Sequence, residues 1–482
     1  MTGAWNGASA GRSIRRRGRA LRTGVWLAAA LMQTAPAAAQ TQTFSMPSFG
    51  TVAVYAPTRP PEQVVLFVSG DGGWNLGVVS MAERLRQAGA LVAGIDIRRF
   101  LKSLESSGDC AYPAGPLEEL ARAVESRWKV AEYRRPILVG YSSGATLVYA
   151  ALAAAPANTF AGAISLGFCP DLEMHRAPCQ LRGLKATKKT KGVGYFLAPD
   201  RALSIPWMIL QGEIDQVCAP AETRRFAAAT GAARVFSLPG VGHGFSVPKN
   251  WEPQMLEAYR AIATERRTDA PPAVAVPGVG DLPLIEVPAG GPPGPDVMAV
   301  LLSGDGGWAD LDREVAAGLS ESGVPVIGWD SLRYFWKTRT PESAAADLAA
   351  VIAHYQAQWK RARVILIGYS FGADVMPFLA TRLPPQLSKG IERIVLLGLS
   401  DTAAFEFHLS SWLGGGGDAR FRTAPEIRRL AVPVTCVRGD DEPDSGCAAV
   451  AGPRVTVATV GRGHHFGGDY RRLLDLILNR GG

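Results

Sequence analysis

Histidine and cysteine are both scarce in this chain of 482 residues, six of each, and their spacing removes several function classes. No two cysteines stand at Cys-x-x-Cys spacing and the histidines are scattered, which argues against a zinc site. No Gly-Lys-Ser/Thr follows the glycine-rich loops, so a nucleotide-cradling P-loop is excluded. No apolar stretch reaches membrane-spanning length without a charge or a proline; Val25–Met32 has eight residues where about twenty are needed. No amphipathic basic helix of the membrane-docking kind stands out. Acids and lysine are missing altogether from residues 1–40, which hold six arginines (12, 15, 16, 17, 19 and 22); subtracting these from the formal +8 leaves +2 for the rest. The basic balance is therefore terminal, and it makes no footprint for nucleic acid.

Those forty residues have the make-up of an export signal. A basic region ends at Arg22, the apolar Val25–Met32 follows, and Ala37-Ala38-Ala39 offers a cleavage site before Gln40. Residues 1–39 are read as a removable signal, by the general or the twin-arginine route, delivering a periplasmic protein. The even cysteine count agrees with an oxidising compartment. Cys436 and Cys447 close a short loop and are predicted to pair. Cys110, Cys169, Cys179 and Cys218 allow three pairings, of which Cys169–Cys179 is the shortest.

What is plentiful is repetition. Ser69-Gly70-Asp71-Gly72-Gly73-Trp74 returns as Ser303-Gly304-Asp305-Gly306-Gly307-Trp308, each after an apolar strand-like run. Gly94-Ile95-Asp96 returns as Gly328-Trp329-Asp330, and Gly140-Tyr141-Ser142-Ser143-Gly144 as Gly368-Tyr369-Ser370-Phe371-Gly372. A period above 200 residues means two tandem globular domains. Their predicted bounds are 45–265 and 281–482, joined by a Pro/Gly-rich linker, 266–280. Buried strands alternate with helical periods in both, which predicts an α/β class with a mostly parallel sheet covered by helices on both faces.

Gly-x-Ser-x-Gly between a buried strand and a helix is the context of a nucleophile elbow. A serine nucleophile needs a base, and the base an orienting acid, in the chain order Ser, acid, His for this arrangement. The second half supplies Ser370 and His464, the first half Ser142, Asp215 and His243. The acid of the second half is ambiguous. Counting from Gly439 selects Glu442, while counting back from Cys447 selects Asp444, which is preferred because a disulfide would fix its distance from that end. His465 is expected to support the base; His175, His354 and His408 have no counterparts. The glycine-rich loops are expected to help bind an oxyanion through Asp71-Gly72 and Asp305-Gly306, alongside the N–H groups of Ser143 and Phe371. No cofactor or metal is implied.

The second half resembles the AcvB/VirJ family of bacterial virulence proteins. The resemblance rests on the Ser-Gly-Asp-Gly-Gly-Trp loop, Tyr334 to Glu342, Gly-Tyr-Ser-Phe-Gly-Ala-Asp-Val, the Asp-Ser-Gly-Cys after the acidic loop, and Gly-His-His-Phe. It covers most of residues 282–482, and the two-domain layout with an export signal is similar to the longer AcvB form. The resemblance implies two α/β-hydrolase-like domains, a periplasmic location and hydrolysis of lysyl-phosphatidylglycerol. It also implies peripheral membrane contact and a link to virulence and type IV secretion proteins. The alternatives are a non-catalytic adaptor for secretion substrates, or an esterase with another substrate. A lysyl ester needs carboxylates near the nucleophile. Asp374, one helical turn beyond Ser370, and Asp305 are the expected ligands; the competing role for Asp374 is capping the helix N-terminus.

Overall fold

The computed structural model describes Met1 and residues 41–106, 110–156, 159–265, 279–291, 294–406, 421–442 and 445–480. The expected export signal beyond Met1, nearly all of the expected linker, His408 and Asp444 lie outside the described residues.

The first half is built on an eight-stranded sheet. Its strands are Gln42–Met46 (β1), Gly50–Tyr55 (β2), Gln63–Val68 (β3), Ala90–Ile95 (β4), Ile137–Tyr141 (β5), Gly162–Leu166 (β6), Trp207–Gly212 (β10) and Ala233–Leu238 (β11). They lie in the order β1-β2-β4-β3-β5-β6-β10-β11. β1 and β2 are antiparallel to their neighbours and the rest run parallel. Three short strands, Asp171–Leu172 (β7), Ala186–Lys188 (β8) and Tyr195–Leu197 (β9), make a separate small sheet in the excursion between β6 and β10. The second half repeats the plan with seven strands: Leu284–Val287 (β12), Val297–Leu302 (β13), Val326–Trp329 (β14), Arg363–Tyr369 (β15), Ile391–Leu397 (β16), Val434–Arg438 (β17) and Val455–Thr459 (β18). Their order is β12-β14-β13-β15-β16-β17-β18, with β12 antiparallel and the others parallel. This is the α/β-hydrolase plan twice over, as expected.

The central strands are apolar throughout because both faces are covered. In β3, Val64, Leu66 and Val68 face one core layer, while Val65 and Phe67 face the other. Capping residues start several helices. Asn75 accepts from the Gly77 N–H, Asp330 from the Arg333 N–H, and Thr340 and Ser343 form a reciprocal box at the helix Pro341–Trp359.

The glycines of the repeated Gly-x-Asp segments are explained by packing. The Trp74 indole lies over Gly94 and that of Trp308 over Gly328; a Cβ on either glycine would come within 2.1 and 2.4 Å of the ring. Ser69 Oγ accepts from the Ile97 N–H (3.1 Å) and Ser303 Oγ from the Ser331 N–H (2.9 Å), tying each glycine-rich loop to the end of the neighbouring strand.

Cys436 pairs with Cys447 as predicted. In the first half the shortest pairing is not the one formed: Cys110 joins Cys179 and Cys169 joins Cys218. Cys169 stands just after β6 and Cys218 just after the adjacent β10, so strand order, not sequence distance, decided the partner. Three disulfides place the chain in an oxidising, exported environment. Among the described residues no helix is long and apolar enough to cross a membrane.

Candidate active sites

Each elbow holds its serine in a strained backbone conformation. Ser142 has φ 55° and ψ −125°, Ser370 φ 52° and ψ −119°, a region that L-residues rarely adopt. The flanking glycines are sterically required. A Cβ on Gly140 would meet Gly144 O at 2.2 Å, and one on Gly372 would meet Leu302 O at 2.3 Å. The reward is position, since the hydroxyl stands at the carboxyl edge of the sheet with a helix starting at the next residue.

Both triads assemble. In the first half Ser142 Oγ is 2.9 Å from His243 Nε2, and His243 Nδ1 is 2.9 Å from Asp215 Oδ2. Asp215 Oδ1 accepts from the N–H groups of Val217 and Cys218, which orients the carboxylate. In the second half Ser370 Oγ is 2.8 Å from His464 Nε2, and His464 Nδ1 is 2.8 Å from Oε1 of Glu442. The acid on the base is therefore Glu442, correcting the preference for Asp444. Glu442 Oε2 also accepts from the Gly439 N–H (2.9 Å), so the glycine is the anchor. The count from cysteine failed because Cys218 bonds across to Cys169, whereas Cys447 bonds within its own loop.

Two supporting positions were not singled out from sequence. Gly167 and Gly398, each one residue past its strand with φ 65° and 68°, leave room for the base: their nearest neighbours are the rings of His243 and His464. The recurrence of Leu-Gly at the ends of β6 and β16 was the available signal. Tyr141 and Tyr369, inside the motifs already noted, donate to the carbonyls of His243 (2.9 Å) and His464 (3.3 Å). His465 Nδ1 lies 3.0 Å from Tyr369 Oη, and burial, reinforced by His464, pushes its pKa down.

The glycine-rich loops reach the serines as expected. A Cβ on Gly70 would stand 3.0 Å from Ser142 Cβ, and one on Gly304 3.4 Å from Ser370 Cβ. Beyond that point the two sites differ. Asp71 accepts from Ser143 Oγ, while Phe371 in the Ser143 position packs on Phe335 at 5.0 Å. Asp305 instead meets Arg122 Nη1 of the first half at 3.4 Å. That contact is accompanied by Trp336, whose Nε1 donates to Val130 O (2.8 Å) and whose ring packs on Tyr133.

Asp374 does not face the cleft. It is buried, and its Oδ1 accepts from the Ser400 N–H at 2.7 Å. Burial, with the charges of Asp305 and Asp401, holds its pKa well above the usual carboxylate range against the opposing Ser400 bonds. A buried carboxyl already bound to the Ser400 N–H and outside the cavity lining is badly placed to receive an ammonium, contrary to the substrate-binding expectation. Thr146 holds the same place in the first half and donates to Cys169 O (2.7 Å), so the position ties the elbow helix to the loop after the next strand.

The second triad opens into a cavity of about 290 Å³ lined by Gly398, Leu399, Ser400, Asp441, Glu442, Ser445 and His464. Asp441 adds a carboxylate there beside Glu442: its Oδ1 accepts from the Gly463 N–H, which with Arg462 holds its pKa below the ordinary value. Exposure separates the sites further. The His464 side chain is 42% exposed and that of Glu442 20%, against 17% for His243 and 0% for Asp215. Among the described residues, the three-residue group close enough to share a metal is Asp215, Cys218 and His243, but Cys218 is spent in a disulfide.

The sequence matches the family described as "Bacterial virulence protein (VirJ)" over residues 62–166 and 296–481, more than half of the chain. The chain belongs to the VirJ family. The match takes in both elbows and the whole second triad, but in the first half it stops before Asp215 and His243. A search of curated proteins finds no match. Among solved structures the chain is similar to Est1E from Butyrivibrio proteoclasticus, at 12% identity over 47% of this chain and 99% of that one, TM-score 0.32. It is also similar to the esterase domain of a Rhodothermus marinus protein, at 17% over 47% and 98%, TM-score 0.32. A third is a thermophilic esterase from Thermogutta terrifontis, at 16% over 48% and 96%, TM-score 0.33. Each of these spans about one half of the present chain.

Proposed function

We propose that this VirJ-family protein is a periplasmic serine esterase that removes the aminoacyl group from lysyl-phosphatidylglycerol, with Ser370 as its nucleophile. The observation that carries the reading is the Ser370–His464–Glu442 relay beside a cavity whose mouth bears the ionised Asp441. Ser370 Oγ attacks the ester carbonyl as His464 Nε2 takes its proton. The oxyanion is received by the Phe371 N–H at the helix start and by the loop at Gly304–Gly306. The imidazolium, stabilised by Glu442, returns the proton to the departing glycerol oxygen, leaving a lysyl ester on Ser370. Water activated by His464 then releases lysine and regenerates the serine. Asp441 supplies the partner for the substrate's ammonium groups that Asp374 cannot, with Asp305 at the loop a second carboxylate. The Ser142–Asp215–His243 set is a second, auxiliary centre.

The test is lysine release from lysyl-phosphatidylglycerol in detergent micelles by the wild-type protein, Ser370→Ala and Ser142→Ala. The Ser370 variant should lose about 10³-fold or more, the Ser142 variant little. A dead Ser142 variant beside an active Ser370 variant reverses the assignment. No lysine from the wild type, with hydrolysis of simple esters intact, sinks the substrate.

A further inference from the structure

Exposed large apolar side chains are concentrated on one edge of this molecule. Apart from Met1, the strongly exposed ones among the described residues are Leu181, Val193, Phe196, Ile214, Val217, Val247 and Val457. Six of those seven lie between residues 181 and 247, and the second half contributes one. Phe196 is 51% exposed, Ile214 61% and Val217 67%, each large enough to need a reason when the others stand nearby.

Topology gathers them. Ile214 and Val217 follow β10, and Val247 follows β11 by way of the His243 loop. The small sheet, with Phe196 in β9 and Val193 in the turn before it, follows β6. Those three strands are adjacent and parallel, so the segments leave the same carboxyl edge. Covalent and paired contacts draw them closer. The Cys169–Cys218 disulfide, with Cα atoms 5.0 Å apart, fastens the Val217 loop to the segment between β6 and β7. Asp171 of β7 pairs in register with Phe196.

Cations accompany the small-sheet part of this apolar set. Residues 182–199 hold five basic side chains and no acid. Arg182 is engaged by Asp310, and Lys189 by Asp171 with its ammonium 5.6 Å from the Phe196 ring. Lys185, Lys188 and Lys191 are exposed. Apolar tips set among lysines suit a surface that is anionic outside and hydrocarbon within.

We propose that this edge of the first half, centred on β8, β9 and the Ile214–Val217 loop, docks on an anionic phospholipid bilayer. The proposal builds on the reading of the substrate as a membrane lipid and goes past it in naming the half that makes the contact. The aromatic and aliphatic tips enter the headgroup boundary, and the lysines pair with lipid phosphates, roughly fivefold in partitioning for each one near the surface. The charges of the halves are thereby divided: the lysine-rich edge takes hold of the membrane, and the acidic second site receives the cationic headgroup.

The experiment is co-sedimentation of the purified protein with vesicles of phosphatidylglycerol and phosphatidylcholine, or of phosphatidylcholine alone. Two double variants are compared, Lys188→Glu with Lys191→Glu and Val193→Ser with Phe196→Ser, with thermal melts as the folding control. Binding to the anionic vesicles that weakens with salt, and falls at least tenfold in each double variant, is expected. Equal binding by wild type and variants, or no preference for the anionic vesicles, overturns the proposal. So does absence of vesicle binding with a dimer that the Phe196 variant dissolves, since a second copy of the chain would then cover the edge. The two readings fail separately. Lysine released in micelles without vesicle binding removes the docking edge alone, and vesicle binding without lysine release removes the substrate alone.

Discussion

Glu442→Gln is the perturbation that bears hardest on the chemistry. In the wild-type protein the two oxygens of Glu442 have separate tasks, Oε1 at 2.8 Å from His464 Nδ1 and Oε2 accepting from the Gly439 N–H at 2.9 Å. A glutamine has one acceptor. If its oxygen stays on Gly439, its amide nitrogen faces His464 Nδ1 and holds the imidazole in the tautomer that carries the proton on Nε2, where it cannot take one from Ser370. If the amide flips, the Gly439 N–H meets another donor. The negative charge that stabilises the imidazolium is gone either way. Loss of such an acid costs up to about 10⁴ in turnover where it is fully buried. Here His464 is 42% exposed and water can hydrate the imidazolium, so the expected loss is nearer 10³, about 4 kcal/mol of transition-state stabilisation. The assay is kcat and KM on a soluble ester from pH 6 to 9, with a thermal melt to confirm folding, and Asp444→Asn run in parallel. KM should hardly change. A Glu442→Gln enzyme at wild-type rate, or an Asp444→Asn enzyme that is the inactive one, would refute the assignment.

Further outcomes follow from groups around the site. Asp374→Asn should leave the rates on lysyl and uncharged esters changed equally, with stability altered by about 1 kcal/mol or less, because an asparagine Oδ1 can accept the same Ser400 N–H and the side chain is buried away from the cavity; a loss confined to the lysyl ester would return it to the substrate pocket. Asp312 is buried with Oδ2 on the Ala309 N–H, and burial, aided by Asp330, raises its pKa to about 8. The folded chain then holds a proton that the unfolded chain releases from about pH 4 upward, so this group lowers stability as pH rises from about 4 to about 8. Asp312→Asn should remove that slope and raise stability at pH 8 by on the order of 2–5 kcal/mol; urea melts at pH 5 and 8 with unchanged dependence in the variant would contradict it. Gly372→Ala should fail to give soluble protein or lose several kcal/mol, since its Cβ would stand 2.3 Å from Leu302 O; a variant that melts like wild type would show that the elbow can relax.

The sequence by itself determined the α/β class, the duplication, both elbow serines with the histidines that bond them, Asp215 as the partner of His243, and the Cys436–Cys447 bond. These are signals written locally: an apolar run breaking into Gly-x-Ser-x-Gly, a glycine-flanked histidine, two cysteines eleven residues apart with no competitor in their half. They persist because strand burial and elbow sterics act over a few residues, and because the second copy says the same thing. Tertiary structure alone decided the rest. The choice of Glu442 depended on which end of a loop is anchored, and the anchors differ between copies, Gly212 and Gly439 alike but Cys218 and Cys447 bonded differently. The first-half disulfides followed strand adjacency, which sequence distance does not measure. Asp374 sits on the correct helix turn for a ligand, yet the Ser400 loop closes over it, and the direction of a side chain is settled by what packs above it. The apolar and basic edge was invisible for the same reason. Phe196, Ile214 and Val217 look like ordinary core residues in a chain 47% hydrophobic, and only the folded sheet leaves them exposed at one edge.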